Sequence, residues 1–354
     1  MKNINEIMQD YIQKAIDDGR ENGVQFVVFH KDKCIVNVNL GYSDLTKTKK
    51  ITEDTMFPIF STSKGICATI CHKLADRGLF DYSDKVSKYW PGFKADVTIG
   101  QVLLMTSALY KEPKNLIASD LLDWDYMCSR MAEMEPSEEV GKTFHYHTVT
   151  FGWLAGNIAC LVTGKTFPEL LEDEIKKPIG ISNLYIGAPS SVFKNIVPLY
   201  DDTCLNETLF VGDESTRGNG CPMFPLGLWM NTENGYATCC PAASGVGSAM
   251  DIAKVYATFV GYKTPYFGKD RLNKALKDNI FTPQWGYRAY GYHFRYLSDD
   301  KDLSKVLFGH NGYNGSFGYA DTMHDLSFGF CKNYKTDRTI NEEILNVFYK
   351  NYLK

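Results

Sequence analysis

Residues 57–78 read FPIFSTSKGICATICHKLADRG and place a serine and a lysine three positions apart at the start of a predicted helix. The helix is expected to end at Gly78, because glycine is typical of helix C-termini. Ser61 lies in the first turn, and Lys64 follows on the same face. The pair has two interpretations: a helix cap followed by a solvated lysine, or a nucleophile beside a proton acceptor. The second requires a partly buried Lys64, since burial lowers the pKa of an ammonium group.

The composition is ordinary for a soluble globular protein. The chain has 354 residues, of which 44% are hydrophobic and 23% are charged, and its formal net charge is -4. Neither this charge nor any local cluster of Lys and Arg is typical of nucleic-acid binding. Since no stretch approaches the roughly 20 apolar residues of a membrane span, no membrane partner is expected either. The oligomeric state cannot be read from the sequence.

The N-terminus and the cysteines indicate a reducing compartment. Residues 1–19 contain acidic side chains and lack the continuous apolar run of a signal peptide. Ten cysteines in a chain without an export signal favour free thiols over a disulfide framework. Cys67 and Cys71 lack the paired spacing of zinc sites and fit the buried face of the helix that follows Ser61. We therefore expect a cytoplasmic protein without a metal or a cofactor.

Strand patterns occur near both ends of the chain, and helical patterns fill the middle. Runs rich in β-branched and aromatic residues predict strands, at residues 24–30, 34–44, 290–297, 305–312, 316–323 and 326–333. Apolar residues at helical spacing predict helices, at residues 3–19, 61–77, 143–164, 248–261 and 340–354. This order predicts one sheet that is built from both ends of the chain and flanked by helices.

The same order predicts how the chain divides into domains. Residues 1–90 and 241–354 are expected to form one discontinuous α/β domain. Residues 91–240 are expected to form a mainly helical insertion, with the active site at the interface of the two. The loops at residues 110–140 and 185–240 have little periodicity, so their roles cannot be read from the sequence.

Other catalytic and phosphate-binding motifs do not match. The nearest approach to a G-x-S-x-G elbow, at residues 314–318, lacks the first glycine. The TGKT of residues 163–166 lacks the upstream glycine of a P-loop, and there is no HExxH. The Ser-x-x-Lys of Ser61 and Lys64 is therefore the strongest catalytic candidate in the chain.

Several stretches resemble, in the same order, the motifs of the serine β-lactamase-like hydrolases. This family includes class C β-lactamases, DD-peptidases, D-aminopeptidases and related carboxylesterases. The resemblance implies a β-lactamase/penicillin-binding-protein-like fold, with an antiparallel sheet, flanking helices and a helical insertion. It also implies a serine acyl-enzyme. The matching stretches are DTMFPIFSTSKG (54–65), VLLMTSAL (102–109), the segment 141–181, AASGVGSAMDIAKV (242–255) and FGHNGYNGSFGYAD (308–321).

The resemblance assigns the catalytic residues. Ser61 matches the acylated nucleophile, Lys64 its lysine partner, and Tyr146 the tyrosine that helps to move the proton to and from Ser61. Because a free phenol has a pKa near 10, a neighbouring cation is expected to lower the pKa of Tyr146 for work as a base. His145 and His147 flank Tyr146 on the predicted helix and lie off its face, so no role is assigned to them.

Two motifs depart from the family pattern. Thr148 stands where the family has Asn or Ser, and it lacks the paired donor and acceptor of an amide. His310-Asn311-Gly312 replaces Lys-Thr-Gly, so that a permanent cation gives way to a group that titrates near pH 6.5. Gly312 is expected to let the backbone approach the substrate closely. The change at Thr148 weakens the case for recognition of a β-lactam or a peptide amide, and the change at His310 predicts weaker recognition of a substrate carboxylate.

The resemblance also places an oxyanion hole and limits the function. The backbone N–H groups of Ser61 and Tyr313 would stabilise the developing negative charge. With the altered second and third motifs, the expected function is an esterase-like hydrolase of small esters or amides, with weak β-lactamase activity. The alternatives are a D-amino-acid amidase or peptidase, a β-lactamase proper, and a catalytically silent ligand-binding homologue.

Overall fold

The computed structural model describes residues 2–202 and 221–353. The middle of the loop region predicted at residues 185–240 therefore lies outside the described residues. The strands are β1 (Gly23–His30), β2 (Lys33–Gly41), β3 (Phe57–Phe60), β4 (Leu184–Ile186), β5 (Tyr200–Asp201), β6 (Gly245–Gly247), β7 (Ile280–Thr282), β8 (Gly286–Arg288), β9 (His293–Tyr296), β10 (Val306–Asn311), β11 (Phe317–Asp321), β12 (Leu326–Lys332) and β13 (Tyr334–Lys335).

The helices lie mainly between the strands of the two chain ends. The longest of them in the described part, α2, has 15 residues. The α-helices are α1 (Ile4–Asp17), α2 (Thr62–Asp76), α3 (Ile99–Leu103), α4 (Trp124–Ala132), α5 (Thr150–Thr163), α6 (Phe167–Leu170), α7 (Lys177–Ile179), α8 (Leu226–Trp229), α9 (Glu233–Ala237), α10 (Ala249–Ala257), α11 (Lys269–Lys277) and α12 (Ile344–Tyr352). No helix among the described residues is both long enough and apolar enough to cross a bilayer.

An antiparallel sheet of eight strands is the centre of the described structure. The strand order is β2-β1-β12-β11-β10-β9-β8-β7, so strands from the start of the chain pair directly with strands from its end. The pairing of β1 with β12 sets Phe26 opposite Phe330 and Val28 opposite Phe328. The prediction of one antiparallel sheet built from both ends of the chain is therefore confirmed.

Helices cover both faces of this sheet. Helices α1 and α12 pack on one face, where Met8, Ile12 and Phe348 join Phe328 and Phe330 in a buried cluster. Helices α10 and α2 pack on the other face. Because apolar side chains of β1 and β12 face both helical layers, nearly every residue of these strands is buried.

A second sheet has three strands in the order β3-β6-β4, and strand β3 is followed directly by α2. At Gly245 in β6, an added Cβ would lie 2.3 Å from Oγ of Ser63. Ser63 also accepts a hydrogen bond from the Gly245 N–H at 3.0 Å. The absence of a side chain at Gly245 therefore lets β6 pack directly against the first turn of α2.

The helix predicted at residues 143–164 begins at Thr150, so the prediction for the first seven residues is wrong. The backbone N–H of Gly141 donates to Thr106 O at 2.8 Å, and that of His145 donates to Met105 O at 3.1 Å. Because these groups pair with a turn elsewhere in the chain, the segment runs as a loop until Val149. Tyr146 therefore lies on this loop and not on a helix.

The strand prediction also missed one part of the sheet. Strands β7 and β8 have three residues each, which is too short for a pattern to stand out, and β9 begins at His293 and not at residue 290. The division of the chain at residues 90 and 240 stays a prediction. The candidate site combines residues from all three parts of the chain that this division separates.

Candidate active site

Ser61 lies where β3 turns into α2. The preceding residue, Phe60, has a φ of 46°, in the left-handed region that side chains other than glycine rarely adopt. Ser61 itself occupies the N-cap position, but within the described residues its side chain makes no capping hydrogen bond. The strained turn therefore places the Ser61 hydroxyl at the start of α2 without using it as a helix cap. The hydroxyl is thus left free to act as a nucleophile.

Lys64 is fully buried, and three neutral oxygens surround its amine. Its Nζ lies 3.2 Å from Ser61 Oγ, 2.7 Å from the Thr148 carbonyl oxygen and 2.8 Å from the Ala242 carbonyl oxygen. Among the described residues no carboxylate pairs with it. Burial lowers the pKa of Lys64 to about 7. The interpretation of a cap followed by a solvated lysine is therefore wrong.

The three contacts of Lys64 fit both charge states of its amine, and the lowered pKa makes the neutral form accessible near pH 7. A neutral amine has two N–H donors and one lone pair, whereas an ammonium has three donors and no acceptor. The carbonyl oxygens of Thr148 and Ala242 only accept, so they take the two N–H groups. In the ammonium form the third N–H donates to Ser61 Oγ, whereas in the neutral form the lone pair is left for the Ser61 hydroxyl, which can donate its proton to it. This arrangement can activate Ser61 as a nucleophile.

Tyr146 presents its ring to Lys64 and lies next to Ser61. Nζ of Lys64 is 4.7 Å from the ring centroid, and the ring stacks on Trp285 at 4.9 Å with an interplanar angle of 14°. Burial raises the pKa of Tyr146 to about 12, although a hydrogen bond to Ser61 and the charge of Arg288 oppose this rise. The expected lowering of the Tyr146 pKa is therefore wrong, and the phenol is neutral at pH 7.

Thr148 contacts Lys64 through its backbone and not through its side chain. Its carbonyl oxygen accepts from Nζ, while its buried hydroxyl has no hydrogen-bond partner in the described structure. The position that carries Asn or Ser in the family therefore contributes a backbone acceptor here.

His310 in β10 is buried behind Tyr146. Its Nδ1 lies 2.7 Å from the Asn311 carbonyl oxygen, and its ring is 3.7 Å from that of His293 and 6.2 Å from that of Tyr146. Burial and the nearby charge of Lys64 hold the pKa of His310 well below 6.5. The expectation that His310 titrates near pH 6.5 is therefore wrong, and the ring is neutral at physiological pH.

The end of β10 meets the strand that precedes Ser61. Gly312 is buried, and an added Cβ would lie 2.3 Å from the carbonyl oxygen of Ile59. The ring of Tyr313 lies 5.4 Å from that of Phe60, and Asn311 is exposed. Gly312 is thus needed for the close approach of two backbone segments, which brings Tyr313 beside the nucleophile turn. The oxyanion-hole role of the Tyr313 N–H stays a prediction.

Sequence reasoning missed Ala242, Trp285 and Arg288. Ala242 acts through a carbonyl oxygen, and Trp285 and Arg288 lie in the strand region that was not predicted. Trp285 stacks on Tyr146, and the buried Arg288 guanidinium lies 5.7 Å from the Trp285 ring. Trp285, Arg288 and His293 also line a cavity of about 400 Å³, whose lining does not include the catalytic candidates Ser61, Lys64 and Tyr146. A single Trp or Arg without a surrounding motif gives no signal in one sequence.

The described residues hold no group of three His, Cys, Asp or Glu side chains that could bind a metal ion. Cys67 and Cys71 are buried in the main core, on the inner face of α2. Their position agrees with the interpretation of free cysteine as a small apolar side chain.

Comparisons with known proteins identify the family of this chain. The family model named Beta-lactamase matches residues 8–344. Esterase/beta-lactamase LipL of Mycobacterium tuberculosis is 29% identical, over 89% of this chain and 77% of that protein. A β-lactamase of Escherichia coli K12 is 25% identical, over 54% of this chain and 51% of that protein.

Solved structures give the same result. The crystal structure of a family VIII carboxylesterase is similar with a TM-score of 0.84 and 27% identity, and it covers 98% of this chain and 97% of its own. A penicillin-binding protein homologue from Caulobacter crescentus shares the fold with a TM-score of 0.81 and 22% identity, over 99% of this chain and 98% of its own. Since the family model matches nearly the whole chain, the protein belongs to the β-lactamase family.

Proposed function

We propose that the protein is an esterase-like serine hydrolase that forms an acyl-enzyme through Ser61 on small esters or amides. The observation that carries this proposal is the fully buried Lys64 amine beside Ser61, with a pKa that burial lowers to about 7. Two N–H groups donate to the carbonyl oxygens of Thr148 and Ala242, and in the neutral form the lone pair is left for Ser61 Oγ at 3.2 Å. A relative named esterase/β-lactamase and a neighbour named carboxylesterase support the same activity.

In the acylation step, Lys64 acts as the general base. The Ser61 hydroxyl gives its proton to Nζ while Oγ attacks the carbonyl carbon of the substrate. The negative charge that develops on the carbonyl oxygen is stabilised by the N–H groups of Ser61 and Tyr313. The tetrahedral intermediate then collapses, the bond to the leaving group breaks, and an acyl group remains on Ser61.

The pKa of Tyr146 assigns it to the other proton transfer. A phenol with a pKa of about 12 is protonated at pH 7 and can donate but not abstract. Tyr146 therefore passes a proton to the leaving alcohol or amine and recovers one from the Lys64 ammonium. In deacylation, a water molecule gives a proton to the neutral Lys64 amine while its oxygen attacks the carbonyl carbon of the acyl group. The bond from this carbon to Ser61 Oγ then breaks, and Oγ takes the proton back from Lys64 as the acid is released.

The altered motifs favour esters within this mechanism. His310 is neutral, so the third motif offers no cation to a substrate carboxylate. Thr148 has no side-chain amide that could hold an amide substrate by paired hydrogen bonds. An ester also needs less help than an amide to expel its leaving group. Neutral esters are therefore the expected substrates.

Labelling with a fluorescent phosphonate tests whether Ser61 is the nucleophile. Peptide mass spectrometry should locate the adduct on Ser61, and Ser61→Ala should lose both the adduct and the hydrolysis of nitrophenyl esters. Ser327→Ala is the matched control, because Ser327 lies on β12 and its buried hydroxyl donates to the Ala253 carbonyl oxygen of α10 at 3.0 Å. An unlabelled wild-type protein would favour the silent ligand-binding homologue. A Ser61→Ala variant with the wild-type rate would contradict the mechanism.

A comparison of three substrate classes tests the preference for esters. Nitrophenyl acyl esters should give a higher kcat/KM than nitrocefin or D-amino-acid nitroanilides. A higher value for the anilides would establish the amidase alternative, and a higher value for nitrocefin would establish a β-lactamase. Ser61→Ala serves as the blank for each substrate, because it corrects for spontaneous hydrolysis.

A further inference from the structure

His147 follows Tyr146 and precedes Thr148 in the chain, and both of these neighbours contact Lys64. Its own side chain lies away from the nucleophile. Tyr146 presents its ring to Lys64, and Thr148 presents its carbonyl oxygen. The His147 ring is fully buried, and both of its nitrogens are paired. Nδ1 lies 2.6 Å from the His145 carbonyl oxygen, and Nε2 lies 2.8 Å from Oγ of Ser107.

These contacts determine the tautomer of His147. A carbonyl oxygen only accepts, so Nδ1 carries the hydrogen and donates it to His145 O. Nε2 then has a lone pair and accepts the Ser107 hydroxyl hydrogen. Burial lowers the pKa of His147 to about 4, although the hydrogen bond to the His145 backbone opposes this fall, and the lowered pKa is consistent with the neutral form. Each polar atom of the Ser107–His147 pair thus has one complementary partner.

Ser107 lies on a turn with a well-defined backbone. Met105 has a φ of 60° and Ala108 a φ of 58°, so two residues with side chains hold the left-handed conformation. This turn accepts the N–H of Gly141 at Thr106 O and that of Ser137 at Ala108 O. The segment that leads to Tyr146 is therefore attached to the 105–108 turn along its length.

We propose that Ser107 and His147 form a positioning pair that fixes the loop carrying Tyr146 and Thr148 against Lys64. This inference rests on the proposed function and adds two residues that do not touch the reacting atoms. The Ser107–His147 hydrogen bond is the side-chain contact that holds the peptide unit between Tyr146 and Thr148. If it is lost, the Thr148 carbonyl is free to move away from Nζ, and the lone pair of Lys64 is no longer aimed at Ser61.

The test removes the donor of this hydrogen bond. Ser107→Ala should lower kcat for a nitrophenyl ester roughly 10- to 100-fold, because misplacement of reacting groups by about 1 Å has effects of this size. KM should stay within about twofold, since no substrate contact is removed. Ser327→Ala, which deletes an equally buried hydroxyl on β12, should keep kcat near the wild-type value. If Ser107→Ala does not fold, Ser107→Cys keeps the volume with a weaker donor.

A crystal structure of the variant gives a readout that does not depend on activity. In Ser107→Ala the distance from Lys64 Nζ to the Thr148 carbonyl oxygen should exceed 3.5 Å, compared with 2.7 Å here. The inference is overturned if this distance is unchanged, if kcat stays within twofold of wild type, or if Ser327→Ala loses as much. Failure of the proposed function itself would show in the wild type, as a missing Ser61 adduct.

Discussion

Lys64 and Lys332 are both fully buried, but different groups surround them. Nζ of Lys332 lies 2.7 Å from a carboxylate oxygen of Glu21, which is equally buried. Nζ of Lys64 has two carbonyl oxygens and a hydroxyl around it. Burial lowers the pKa of both amines, but the charge of Glu21 opposes the effect at Lys332, whereas the pKa of Lys64 falls to about 7.

The difference shows that the partner, and not burial alone, decides what a buried lysine can do. A carboxylate keeps the ammonium charged and turns it into a structural ion pair. Neutral acceptors bind two of the amine hydrogens but provide no negative charge. The ammonium can therefore lose its third proton near neutral pH. Three experiments test this difference between Lys64 and Lys332.

The largest expected effect is on turnover, from Lys64→Met. Loss of a general base typically costs roughly 10²–10⁴-fold in rate, so kcat/KM for a nitrophenyl ester should fall by that factor. The expected fold is intact, because Met fits the volume of a lysine stem. Steady-state kinetics with circular dichroism checks both points. A variant that retains the wild-type rate would show that Lys64 is not the base.

The same variant should also change how stability depends on pH. The pKa of Lys64 is about 7 in the folded chain and 10.5 as a free group. Between these two pH values the unfolded chain therefore binds more protons than the folded chain. As the pH falls through this range, the free energy of unfolding of wild type decreases, and the decrease is complete below about pH 7. The Tm of Lys64→Met relative to wild type should rise as the pH falls from 9 to 6, and the reverse slope would contradict the lowered pKa.

The second effect is on stability, from Lys332→Met. The change leaves the Glu21 carboxylate buried without its cation, and breaking a buried pair in this way costs about 3–5 kcal/mol. Urea unfolding measures this loss in the free energy of unfolding. The kcat of the folded variant should stay near that of wild type, because Lys332 lies outside the candidate site.

The double variant Glu21→Gln/Lys332→Met is the control for this interpretation. It removes the unpaired charge and keeps an amide oxygen for the Ile340 N–H, which donates to Glu21 at 3.0 Å. Most of the lost stability should return. A double variant as unstable as Lys332→Met would mean that lost packing, and not the bare carboxylate, causes the effect.

The smallest effect is a pH profile. Because only the neutral amine of Lys64 accepts a proton, kcat/KM should rise about tenfold per unit at low pH and level off above about pH 7. A neutral nitrophenyl ester, corrected with Ser61→Ala, gives the profile. Lys332→Met should leave the midpoint in place. A profile that is flat from pH 5 to 9 would exclude a titrating base near neutrality.

Much of the fold could be predicted because its patterns are local. The helical spacing of residues 3–19 and the strand runs near both ends correspond to α1, β1, β2 and β10–β12. The failure at residues 143–149 has a different origin. The apolar composition favours a helix there, but the backbone N–H of Gly141 and His145 pairs with a turn some 40 residues away in the chain. Propensity carries no information about such a partner.

For the candidate site, too, local patterns gave the residue types, and tertiary contacts decided their chemistry. Ser61, Lys64, Tyr146 and the 310–313 motif were identified because motifs name residue types in order. The expected lowering of the Tyr146 pKa and the expected titration of His310 near pH 6.5 were both wrong, since neither expectation included the effect of burial on the pKa. Burial decides those states, and no spacing in a sequence measures burial.

The sequence by itself determined the family, the antiparallel sheet and the identity of the serine and its lysine. These properties depend on residue types and on their order along the chain. Only the tertiary structure decided that the Lys64 amine is buried among neutral oxygens, that Tyr146 is a neutral phenol, and that His147 bonds Ser107. Each of these depends on carbonyl oxygens, hydroxyls and charges brought together from distant positions, and on the water that their packing excludes.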